Sequence, residues 1–141
     1  MINPKTLRIG NYFQSQTMLL EIVSIDGFEL FATCYVGGRK NGDIQFTDAQ
    51  DLFPIEINNH LILGLGFVKE EIHLTQDVES IWQDSKGVII WELKNGAYKF
   101  SDDVKGVYEM DSDIEFKYIH QLQNRYFNKY QRLPKFDKTP D

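Results

Sequence analysis

The chain has a single cysteine, Cys34, among 141 residues. No disulfide can form within it and no cysteine-based zinc site can be built, so the expected compartment is reducing. No run reaches the roughly 18 apolar residues that a membrane-spanning helix needs. The start, Met1-Ile2-Asn3-Pro4-Lys5, lacks the basic-then-apolar region of a secretory signal. These absences predict a cytoplasmic protein with no membrane partner. Phosphate-binding GxxxxGK[ST] and GxGxxG loops are missing, as is the HExxH zinc signature. The three histidines, His60, His73 and His120, fall on different predicted elements. The run Asp111-Ser112-Asp113-Ile114-Glu115 lacks the central glycine and the twelfth-position glutamate of a calcium loop. Paired acids occur at Glu70-Glu71 and Asp102-Asp103, both in expected exposed turns, where nothing desolvates one of them for acid–base work. The expectation is therefore no metal, no cofactor and no enzymatic activity.

What the chain does hold is ordinary globular composition: 42% hydrophobic, 26% charged and a raised 13% aromatic. That is enough to bury a core without staples. The net charge of −6 is unevenly laid out. Residues 1–42 carry +1, residues 43–115 carry −11, and residues 116–141 carry +4. An acidic body repels a phosphate backbone over most of its surface and complements a basic partner.

The first half predicts short strands. Segments 7–13, 17–25, 28–36, 44–46 and 52–57 are β-prone and separated by turn residues, with Asp26-Gly27 as a two-residue hairpin signal. Cys34 shares an alternating face with Phe28, Leu30 and Val36 and is expected to be a core thiol. Residues 37–43 predict a loop whose exposed tip carries Arg39 and Lys40. Segment 58–67 predicts a short helix capped by Asn58 or Asn59 and ended at Gly66. Segments 80–83, 88–93, 97–100 and 107–110 predict a second antiparallel meander turned at Lys86-Gly87, Asn95-Gly96 and Lys105-Gly106.

The stretch FKYIHQLQNRYF, residues 116–127, is the densest in the chain. Ser112 followed by Glu115 has capping-box spacing and predicts a helix from Asp113 to about Tyr130. At 100° per residue, Tyr118, Ile119, Leu122, Tyr126, Phe127, Tyr130 and Phe116 share one arc, a stripe for packing inward. Gln123 falls inside that arc and His120 at its rim. Both are candidate structural polar anchors, with Gln123 expected to bond strand-end backbone of the second sheet. The basic residues Lys117, Arg125, Lys129, Arg132 and Lys135, with Arg39 and Lys40, are the candidate contacts for a partner or a nucleic acid.

Four segments in order, LRIGNYF (7–13), FPIEI (53–57), GLGF (64–67) and KYIHQLQNRYF (117–127), resemble a family of small uncharacterised proteins encoded by phages, prophages and other bacterial mobile elements. The resemblance covers most of residues 7–130 and departs after Phe127. It supplies no catalytic residue to carry over. What it implies is context: small acidic accessory proteins that bind host machinery, among them inhibitors of host defence such as anti-CRISPR proteins.

The expected fold is α+β. An N-terminal five-stranded Src-homology-3-like barrel (1–57) precedes a short helix and a second antiparallel sheet closed by a C-terminal helix (58–130), with a mobile tail (131–141). The expected function is non-enzymatic docking on a host protein, such as a nucleic-acid-handling nuclease or its RNA complex. The alternative is a small RNA- or DNA-binding module using the C-terminal helix and the 37–43 loop.

Overall fold

The computed structural model describes residues 7–16, 18–26, 35–40, 43–70, 78–100 and 115–136. It is α+β, with two antiparallel sheets and two α-helices among those residues. The chain divides into two compact units: residues 1–56 with 118–141, and the intervening 57–117.

In the first unit, β1 (Tyr12–Ser15), β2 (Met18–Asp26), β3 (Tyr35–Lys40), β4 (Asp43–Asp48) and β5 (Leu52–Phe53) form a sheet of order β4-β3-β2-β1-β5. A 3-10 turn, Ala49–Asp51, leads from β4 to β5. The sheet is not closed: no pairing joins β4 to β5 among the described residues. Its core is the face carrying Phe13, Ile22, Ala49 and Leu52, with Leu7 and Ile25 packed against it. Gly38 in β3 makes room for that packing, since a methyl group there would lie 2.8 Å from Leu20 Cδ1.

The residues expected to form a loop at 37–43 are largely strand. Arg39 pairs with both Glu21 of β2 and Ile44 of β4, so β3 runs through the two glycines. Glycine lowers strand propensity, but two flanking neighbours override it. The segments 28–34 and 101–114, which include Cys34 and the strand expected at 107–110, lie outside the described residues.

The second unit holds α1 (Asn59–Gly64) and a sheet of order β6-β7-β8-β9, with β6 Val68–Glu70, β7 Val78–Gln83, β8 Ile89–Leu93 and β9 Tyr98–Phe100. The Asn58 side chain accepts from Leu61 N–H at 2.8 Å, and Gly66 takes φ +100° just beyond the helix, as the capping residues predict. Trp82 is buried, and its indole N–H is satisfied by Glu92 Oε1 at 2.9 Å. The short β6 gave too brief a pattern to be read from sequence.

The C-terminal helix, α2 (Ile119–Tyr130), starts later than its expected start at Asp113. Residues 116–118 are instead extended: Phe116 bridges to Tyr98 in the second unit, and Tyr118 bridges to Glu56 in the first. Backbone pairing of Phe116 and Tyr118 thus sets the start of the helix at Ile119. The working cap lies at Tyr118, whose N–H donates to the Gln121 side chain at 3.2 Å. Expected to close the second sheet, α2 belongs to the first unit and packs on β1.

Candidate interaction surface

The helix places its buried side chains at Ile119, His120, Leu122, Gln123 and Tyr126, the i, i+3, i+4, i+7 spacing of one face. Gln123 is fully buried. Its Oε1 accepts from Tyr12 N–H at 3.0 Å and from Asn11 Nδ2 at 3.3 Å, and its Nε2 donates to Gly10 O and Pro134 O, both at 2.9 Å. Gly10 C=O and Tyr12 N–H point to the same side of the chain, where β5 is too short to reach. The amide therefore substitutes for one residue of a neighbouring strand, donating on one side and accepting on the other. It is a structural anchor, as its type and position predict, but its partners lie beside β1 and not in the second sheet.

His120 is buried between Phe13 and Tyr118, with ring centroids 4.8 and 6.1 Å away. Its Nδ1 finds no hydrogen-bond partner, and burial pulls its pKa down to about 4. It is a neutral packing residue at pH 7, and no acid or nucleophile stands against it among the contacts described.

The segment expected to be a mobile tail is docked through residue 136. The Phe136 ring sits 4.5 Å from Tyr12, its N–H donates to Tyr12 Oη at 3.1 Å, and the Pro134 carbonyl is held by Gln123. Lys135 Nζ reaches Glu21 Oε2 at 2.8 Å, while Arg39 Nη2 takes Glu21 Oε1 at 3.0 Å. Burial raises the Glu21 pKa, but the hydrogen bonds and charges of Lys135 and Arg39 outweigh it, so the carboxyl is held below its usual value.

This accounts for two of the predicted basic contacts, Arg39 and Lys135: one carboxylate brings them together. Arg132 is exposed and lies along Tyr126, with its Nη2 3.5 Å from the phenol oxygen. Lys40, Lys117, Arg125 and Lys129 each carry an interaction of their own. Lys117 belongs to the second unit and the rest to the first. Aromatic rings do not line up with these cations as a bare platform, since Phe116 and Tyr126 are buried and Phe127 is covered by the Arg8 guanidinium at 4.2 Å.

The feature that sequence reasoning missed lies along β4 and β5, with β4 paired directly beside Arg39. Ile44, Phe46, Phe53 and Met18 are exposed, Phe46 by 76%. An open groove of about 590 Å³ runs between β4 and β5, lined by Phe46, Phe53, Met18 and Gln45 together with Asp48 and Asp51, with no cationic side chain among the described residues that line it. Gln16, in the β1–β2 turn at its end, adopts φ 55°, a left-handed conformation uncommon outside glycine. The Ile44-Gln45-Phe46 alternation carries no sign of which face meets solvent.

No histidine, cysteine, aspartate or glutamate group that could hold a metal occurs among the described residues, and no helix among them is long and apolar enough to cross a membrane. No protein-family model, curated protein or solved structure matches the chain.

Proposed function

We propose that this chain is a non-enzymatic binding protein, encoded by a phage or mobile element, that docks in the cytoplasm on a host protein or nucleoprotein and inhibits host defence in the manner of an anti-CRISPR protein. The observation that carries the docking is the groove in which the exposed Phe46 and Phe53 stand beside Asp48 and Asp51. Large rings left in water next to carboxylates are a poor surface for a free-standing protein and a good one for a basic, partly apolar partner. The mobile-element context rests on the sequence resemblance alone. The strand order and the 3-10 turn between β4 and β5 also support reading the first unit as a Src-homology-3-type barrel left open along this groove.

The nucleic-acid reading has less to draw on. It needs the basic residues free and rings exposed for stacking, whereas Glu21 holds Arg39 and Lys135, and α2 turns its rings inward. Affinity purification from a nuclease-treated bacterial lysate, with wild type beside Phe46→Asp/Phe53→Asp, tests the proposal. A stoichiometric protein retained by wild type and lost by the variant is the expected result. Absence of any such protein, together with steeply salt-dependent binding of a single-stranded oligonucleotide, would reverse the ranking.

A further inference from the structure

Among the described residues β4 is the end strand of its sheet, with few of the devices that keep edges from pairing. Its sequence, Asp43-Ile44-Gln45-Phe46-Thr47-Asp48, has no proline and no lysine, and its six-residue register with β3 is uninterrupted, unlike the β2–β3 register, which is broken between Ile22 and Ser24. On alternation, about three of its N–H and three of its C=O groups face away from β3. The groove along this edge is acidic and apolar together.

We infer that β4 accepts an extended, basic segment of the partner protein as a sixth antiparallel or parallel strand, with its apolar side chains on Phe46 and Phe53 and its lysines or arginines on Asp48 and Asp51. This rests on the docking reading above and specifies its mode. Main-chain bonds supply affinity in strand addition, and alternate side-chain contacts supply selectivity. Two aromatic rings flanked by carboxylates favour a cation over a neutral residue, because ring face and carboxylate attract it alike. A second copy of the chain fits poorly. Pairing β4 with itself about a two-fold axis sets Asp43 of one copy opposite Asp48 of the other, and like charges directly opposed destabilise a ladder. A nucleic-acid backbone meets the same carboxylates with the same sign.

The test is selection of random linear dodecapeptides on the intact chain, with counter-selection on Phe46→Asp, which alters a side chain that is 76% exposed and whose folding is checked by circular dichroism. Expected are enriched peptides alternating apolar residues with lysine or arginine. Their binding should weaken at least tenfold in Asp48→Asn/Asp51→Asn and with N-methylation of alternate peptide amides. They should also slow hydrogen exchange of β4 amides. No enrichment, enrichment of acidic sequences, or binders that leave β4 exchange unchanged would overturn strand addition. Any of these outcomes alongside a protein still captured from lysate through Phe46 would leave docking standing and remove only this mode. Sedimentation as a dimer that Phe46→Asp dissociates would assign the edge to a second copy and likewise overturn it.

Discussion

Replacing Gln123 isolates the contribution of one side chain to the first unit. Its amide satisfies Tyr12 N–H, Gly10 C=O, Pro134 C=O and the Asn11 amide at 2.9–3.3 Å, all buried except the part-buried bond to Pro134. Gln123→Met keeps the length and volume of the chain but no donor and only a weak acceptor. Three backbone groups then lose their partner. A stranded buried polar group costs about 1–3 kcal/mol. With some relaxation toward solvent, the expected loss is roughly 3–5 kcal/mol, a large part of the 5–15 kcal/mol typical of a domain. Gln123→Glu should cost at least as much at pH 7, because it sets a carboxylate oxygen against the Gly10 and Pro134 carbonyls. Both tryptophans, Trp82 and Trp91, lie in the second unit, so their fluorescence is the wrong probe. Urea titration followed by hydrogen exchange at the Tyr12 amide reads the effect directly. A Gln123→Met chain within 1 kcal/mol of wild type, with Tyr12 still protected, would refute the view that this amide stands in for a strand.

Three further outcomes follow from the packing. His120 has a folded pKa of about 4 against an ordinary 6.5, so the unfolded chain takes up its proton first; stability should fall by up to roughly 3 kcal/mol as pH drops from 6.5 to 4, and His120→Phe should flatten that part of a urea-stability profile. Glu21 is depressed below 4.5, so its contribution is complete above that value and is lost as pH falls through the lower folded pKa; Glu21→Gln should remove this acid-side loss, measured by the same titration below pH 4.5. Ending the chain after Gln131 uncovers Tyr12, whose phenol burial pushes up to about 12; ultraviolet titration should then find it returning toward 10, and an unchanged value would show that the tail does not cover it.

Much of the fold was legible because local rules and tertiary need agreed. The Asn58 cap, the Gly66 terminus and the Asn95-Gly96 turn, with Gly96 at φ 88°, are positions where one residue type answers one backbone demand. Gln123 was legible as an anchor since an amide inside an apolar arc must be satisfied, yet the sequence has no means of saying by what. The errors came where long-range pairing outweighed a local signal: Phe116 and Tyr118 were drawn into bridges with Tyr98 and Glu56, and Gly37-Gly38 were held in a strand by β2 and β4. The expected mobile tail failed for a related reason. Few apolar residues were visible there, but Phe136 and the Pro134 carbonyl find prepared partners on β1 and α2.

The exposed groove was illegible for a different reason, and that reason bears on function. Period-two alternation identifies two faces of a strand and is silent on which is wet. Phe46 and Ile44 look like core in sequence, and a chain that needed them as core would have covered them. This protein covers rings when packing requires it: Tyr126 in α2 and Phe116 in the extended segment before it are 4% and 2% exposed. Two of the cations are occupied too, with Glu21 spanning Arg39 and Lys135. A surface for stacking bases needs exposed rings beside available positive charge, and here Phe46 and Phe53 stand beside Asp48 and Asp51 while Arg39, in the neighbouring strand, is held by Glu21. That arrangement supports the proposed basic protein partner over a nucleic acid.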